Sequence, residues 1–94
     1  MKDGEHIGYY LSGLVRSKRN YLGGKLNGEF IKYYDTGGIY SKYNWLGGKK
    51  HGEHIEYYKS GDIWYKSYYI YGKFITELDW ISYNRNIKLE LLGL

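Results

Sequence analysis

The chain repeats itself at a period of 24 residues, and this limits its possible folds more than any other feature. Residues 1–24, 25–48 and 49–72 align without a gap. Eight positions are identical in all three copies: Gly4, Glu5, Ile7, Tyr9, Tyr10, Gly13, Lys18 and Gly24 in the first. Residues 73–94 begin a fourth copy at Lys73 and Glu77 and then lose it, with Thr76, Asp79 and Arg85 where Gly, Ile and Gly are expected. A repeat of this kind is one supersecondary unit stacked on its neighbours, and its last unit is atypical because it caps an exposed end. The reading is a single domain over residues 1–94, with three repeats and a degenerate fourth repeat or cap at 73–94.

Each repeat holds two runs rich in Tyr, Ile, Val and Trp, which suit a pleated surface. In the first copy they are Glu5 to Leu11 and Val15 to Leu22. Ser12-Gly13, Thr36-Gly37-Gly38 and Ser60-Gly61-Asp62 stand where a hairpin must turn, and Gly accepts the positive φ of such turns. A second turn at Gly23-Gly24, Gly47-Gly48 and Tyr71-Gly72 leads into the next copy. The predicted fold class is all-β, an antiparallel meander of stacked hairpins with about six strands. A two-residue loop at Ser12-Gly13 pairs Leu11 with Leu14 and Tyr10 with Val15. In that register Tyr10, Val15, Tyr34, Ile39, Tyr58 and Ile63 form a row on one face. Ile7, Ile31, Ile55, Tyr9, Tyr33 and Tyr57 lie on the other face beside Lys18, Lys42 and Lys66. A one-residue change in the loop changes these partners.

With 14 Tyr, three Trp and two Phe, both faces of such a sheet carry aromatic rings. A chain of this length buries only about 60–65% of its unfolded surface, so one layer cannot cover both faces. The cap or a second copy must cover one. Two patterns compete in the cap: Phe74, Leu78 and Ile81 follow helical spacing, while Ile87 to Leu91 alternates like a strand.

The residues offer little for catalysis. Cysteine is absent, which removes thiolate chemistry and cysteine-ligated zinc. His51 and His54 are three apart, so on a strand they point to opposite faces and do not share an ion. The Gly-Gly-Lys turns lack the Ser or Thr of a phosphate loop. Glu5, Glu29 and Glu53 recur roughly 9.5 Å apart without a cleft; with Lys18, Lys42 and Lys66 they read as charge ladders. The expectation is no enzyme, no cofactor, no metal and no small-molecule substrate. The formal charge of +4 is mild and mixed along the chain. With no signal-peptide core and no membrane span, a soluble, intracellular, cytoplasmic protein is expected, with peripheral membrane attachment as the alternative.

The order Gly-Lys, Gly-Glu, a Tyr pair, Ser/Thr-Gly, an aliphatic residue and a late aromatic (Tyr21, Trp45, Tyr69) resembles the MORN repeat in its longer variant, over about residues 1–76. Tyr71 departs from the pattern, standing where the first Gly of the turn is expected. The resemblance implies a non-catalytic scaffold of stacked hairpins. Members of that family are proposed to bind phospholipids, and many self-associate.

Tyr and Trp dominate binding hot spots. The candidate interaction surface is therefore Tyr9, Tyr33, Tyr40, Tyr57, Trp64 and Tyr68, joined by the apolar tail at Leu89 and Leu91. The candidate basic contacts are Arg16, Lys18, Arg19, Lys42, Lys66, Lys49 and Lys50. The expected partner is another protein or a second copy, with a homodimer favoured. A phospholipid surface is the first alternative and nucleic acid the second.

Overall fold

A computed structural model describes residues 2–93 as one open antiparallel sheet followed by a helix. The strands are β1 (Gly4–Tyr9), β2 (Val15–Leu22), β3 (Lys25–Leu26), β4 (Gly28–Tyr33), β5 (Ile39–Leu46), β6 (Lys49–Lys50), β7 (Gly52–Tyr57), β8 (Ile63–Ile70) and β9 (Lys73–Ile75). Their order is β1-β2-β4-β5-β7-β8-β9, with β3 paired to β2 and β6 paired to β5. The expected meander is present, and its six strands become nine for a local reason. Gly28 and Gly52 sit at φ +90° and +108°, which breaks the run entering the second and third copies. Each run is split into a short strand on the end of the preceding hairpin (β3, β6) and a long one in its own (β4, β7). The start of the fourth copy adds β9.

The hairpin tips differ from the two-residue loop. Tyr10 N–H donates to the Leu14 carbonyl and Gly13 N–H to the Tyr10 carbonyl, and the same pair of bonds recurs at Tyr34–Gly38 and Tyr58–Asp62. The loop therefore has three residues and closes on a glycine at φ +94° to +100°, a turn followed by a left-handed residue. Tyr9, not Tyr10, stands opposite Val15. One residue further along, the register slips back through a bulge, so that Gly8 faces Ser17 and Ile7 faces Lys18. The bulged residue is Arg16 in the first hairpin, and by the same register Tyr40 and Trp64 in the others. Two one-residue irregularities cancel, and most of each hairpin keeps the expected partners. The proposed row of Tyr10, Tyr34 and Tyr58 with Val15, Ile39 and Ile63 is overturned, because those aliphatic residues stand opposite Tyr9, Tyr33 and Tyr57.

The second tyrosine of each pair instead joins copies together. Tyr10 O–H donates to the carbonyl of Tyr33, and Tyr34 O–H donates to that of Tyr57 at 2.6 Å. Tyr58 has no following copy to reach and is largely exposed. The third residue of each copy ties down the closing turn by accepting a backbone N–H: Gly24 to Asp3 (3.0 Å), Gly47 to Asn27 (3.2 Å) and Tyr71 to His51 Nδ1 (3.1 Å). Tyr71 holds φ +45°, close to the +60° and +56° of Gly23 and Gly47, so the departing residue keeps the turn.

The cap is one helix, α1 (Glu77–Leu91). The strand pattern at Ile87 to Leu91 does not form a strand, and Phe74 belongs to β9, opposite Tyr69. Thr76 caps the helix by accepting the Asp79 N–H at 3.1 Å, and Glu77 and Asp79 favour the positive end of its dipole. Packing then decides its place. Trp80 stacks on Tyr68 of β8 with ring centroids 6.0 Å apart and planes 25° off parallel, and its edge meets His51. The helix thus lies on the sheet face that carries Tyr68, at the third-repeat end. No helix among the described residues is long and apolar enough to cross a membrane.

A cationic and aromatic face as candidate binding site

Residues opposite each other in neighbouring strands share a face. The helix side carries Ile7, Ile31, Ile55, Tyr9, Tyr33, Tyr57, Val15, Ile39 and Ile63. Its charges balance along the ladder, with Lys18 opposite Ile7 and Glu5 one step on, and likewise in the other copies. In the third copy Lys66 and Glu53 approach to 3.7 Å.

The other face is left open by the helix, and its chemistry differs. Phe30 faces Tyr43, Lys32 faces Ser41, and His54 faces Ser67. Phe30 and Tyr43 meet edge to face at 6.2 Å, and Tyr43 stacks on His54 at 4.3 Å. Cations sit between the rings. Arg19 lies over Tyr21 and Phe30 (5.7 and 5.9 Å), Lys32 over Phe30 and Tyr43 (both 5.7 Å), and Lys50 over Tyr43 and Tyr69 (5.1 and 5.0 Å). Each cation is shared by two rings, and the inner rings by two cations, so the ladder is continuous from β2 to β8. The arms and rings roof over a small residue beneath, and Ser41 is fully buried.

No carboxylate lies within 4 Å of Arg16, Arg19, Lys32 or Lys50 among the described residues; the two close acid–base contacts are Lys66 with Glu53 and His54 with Glu56. Arg16 comes onto this face because it is the bulged residue. Gly8 opposite leaves the space, since a Cβ there would stand 3.0 Å from Ser17 Oγ and 3.8 Å from the Arg16 guanidinium. Arg16, Arg19 and Lys32 line one open groove of about 430 Å³ with Tyr10, Phe30 and Tyr40.

The candidate residues thus separate into groups. Tyr9, Tyr33, Tyr57, Lys18, Lys42 and Lys66 lie on the helix side. Arg16, Arg19, Lys50, Tyr40 and Trp64 lie on the open face, with Tyr40 against Tyr34 at 5.2 Å and Trp64 between Tyr58 and Tyr65. Lys49 opens β6, with its side chain beside Gly72. Tyr68 is the exception: under Trp80 it is 7% exposed, a core residue and not a surface one. Leu89 and Leu91 are exposed on the helix. Phe30, Lys32, Tyr43 and Tyr69 were not among the candidates. Lys32 has Gly8 and Glu56 at its repeat positions, so identity between copies does not reveal it, whereas the alternation of β4 does.

The two histidines of the third copy have different duties. His51 is wedged among Tyr71, Trp80 and Tyr83, and this burial pushes its pKa below the ordinary histidine range. Protonation of Nδ1 would also remove the acceptor for Tyr71 N–H. On the open face His54 is lowered by burial and by Lys50, against an opposing pull from Glu56. The unfolded chain therefore takes up protons on these residues before the folded chain does. Stability is at its full value above the ordinary histidine pKa and falls as the pH drops from there towards the depressed folded values. Urea titrations from about pH 7 to about pH 5 should show this decline. His51→Asn restores the side chain used at Asn27 and should flatten the slope without abolishing it, since His54 remains; an unchanged slope would remove His51 from the account.

The class this geometry defines is an open, single-layer antiparallel repeat sheet capped by one helix, with chemically distinct faces. No family model, curated protein or solved structure matches the chain.

Proposed function

We propose that the chain is a non-catalytic interaction scaffold that completes its core by pairing the helix-side sheet face with that of a second copy. The resemblance to MORN repeats belongs to the same proposal. The observation that carries it is how little the chain buries. Among the described residues Tyr68 is the single large apolar side chain counted as buried, while Ile7, Tyr9, Leu14 and Ile63 are exposed, Tyr9 at 57%. The accessible surface is 6607 Å², against about 5,700 Å² for a compact monomer of this mass. The radius of gyration is 15.4 Å, against about 12 Å for a globule of this length.

The helix occupies only the third-repeat end, leaving the first two repeats to pair. Their four long strands, about 4.8 Å apart and six or eight residues long, make a face on the order of 400 Å² before side-chain relief is added. That is about half of the roughly 800 Å² per partner of a standard stable interface, and the relief of the side chains and the loops at its border add to it. Light scattering after size exclusion should give a dimer mass, and Ile7→Glu should weaken association at least about tenfold, because it buries a charge at the contact without disturbing a buried site in the free chain. A monomer across the accessible concentration range, or a dimer indifferent to Ile7→Glu and Tyr9→Glu, would end this proposal.

A further inference from the structure

We infer that the open face is a binding surface for single-stranded nucleic acid, seated along the cation–aromatic ladder with its phosphates on Arg16, Arg19, Lys32 and Lys50. The inference uses the face that the self-association does not, and it stands or falls separately. Three observations converge on it. The first is charge: the helix-side face balances three lysines against three glutamates, whereas the open face sets Arg16, Arg19, Lys32 and Lys50 against Glu56, which lies beside His54, and the groove of Arg16, Arg19 and Lys32 contains no carboxylate. Arg19 and Lys32 are each held over two rings, so less of their rotamer freedom remains to be lost on meeting a phosphate.

The second is alternation. A single strand presents a phosphate and a flat base in every nucleotide, and the open face presents cations and rings in turn, with 5.0 to 5.9 Å from charge to ring centroid. Partly exposed rings border the ladder: Tyr40 is 41% exposed at the groove and Trp64 51% exposed at the third hairpin. A duplex would offer phosphates but hide its base faces. A lipid surface would want apolar side chains free to insert, and the exposed aliphatic residues of the sheet are on the opposite side. The third is incompleteness. The buried side-chain polar atoms that make no hydrogen bond among the described residues, Ser41 Oγ, Trp45 Nε1 and His54 Nε2, all belong to the open face, His54 Nε2 standing 3.8 Å from Glu56. The chain's own contacts therefore satisfy the open face less fully than the rest of the molecule.

The test is fluorescence anisotropy of the full chain with a labelled oligothymidine of about 15 nucleotides, a length that covers one such surface. Four phosphate contacts, from Arg16, Arg19, Lys32 and Lys50, predict a slope of log affinity against log salt of about −3 between about 50 and about 200 mM. Replacing Arg16, Arg19 and Lys32 together by Gln should lower affinity at least about tenfold and reduce the slope by about 2. A control that removes the same charge elsewhere, Lys18, Lys25 and Lys42 to Gln, should change affinity less than about threefold. Tyr40→Ala should cost about fivefold or more with the slope unchanged, the mark of lost stacking. Absence of oligonucleotide binding at low salt, equal losses in the two triple variants, tighter binding of duplex than of single strand, or binding only to phosphatidylserine vesicles would each overturn the assignment. A monomeric protein that binds the oligonucleotide would support this inference while removing the self-association.

Discussion

Trp80→Ala is expected to destabilise the fold by about 3 kcal/mol and to release the helix from the sheet. Truncating a large aromatic in a well-packed site costs about 3–5 kcal/mol, and Trp80 is half-buried, which places it at the lower end. Its contacts are concentrated: Tyr68 beneath it, His51 at one edge and Tyr83 beside it. The helix packs on β8, and no residue of α1 is fully buried. Without this indole, α1 is a 15-residue helix with a good N-cap and little to hold it. Tyr68, the buried ring of the sheet, then faces water. Urea unfolding at fixed protein concentration should show the loss, and the melting temperature should fall by about 12–24 °C. Trp64→Ala supplies the comparison, because Trp64 is exposed at its bulge and should cost less than about 1 kcal/mol. Equal losses would mean that the helix does not hold the third repeat in place.

The period of 24 made the sheet readable, because turn glycines and β-prone runs recur together and admit one chain path. The finer geometry was harder to read for a specific reason. A two-residue loop and a three-residue loop closing on Gly13 look alike in sequence, since both ask for Gly near the tip. The bulge at Arg16 carries no residue of its own kind, with Arg, Tyr and Trp in the three copies. The pairing of Ile7 with Lys18 survived because the two irregularities cancel, and the row through Tyr10 did not because it lies between them. The helix had a local signal, Thr76 followed three residues later by Asp79, a capping pattern. The alternation of Ile87, Leu89 and Leu91 competed with it. Position three shows a different limit: Asp3, Asn27 and His51 differ in identity and share only the ability to accept a hydrogen bond, so a comparison based on identical residues passes over them. The open face escaped for the same reason. Its cations come from different positions in each copy, Arg19 in the first, Lys32 in the second and Lys50 in the third, and folding alone assembles them.

Gly52→Ala is expected to cost about 3 kcal/mol, and Gly28→Ala about half of that, although the two glycines occupy the same repeat position. Both hold the positive φ that splits a run into two strands, +108° and +90°. Any side chain there incurs backbone strain of about 1–3 kcal/mol. Space separates them. A Cβ on Gly28 meets nothing within 4 Å, whereas one on Gly52 would stand 3.3 Å from Asn44 Cβ. Asn44 cannot withdraw freely, because its Nδ2 donates to the Glu53 carbonyl at 3.1 Å and ties the second repeat to the third. Displacing it adds about 1 kcal/mol for the hydrogen bond to the strain. Thermal or urea unfolding of both variants measures the difference, and Asn44→Gly, which removes the Cβ that the new methyl meets, should cost less in the Gly52→Ala background than in the parent chain. If the two glycine variants cost the same, backbone conformation alone sets the break between strands, and the junction between repeats is looser than Asn44 makes it.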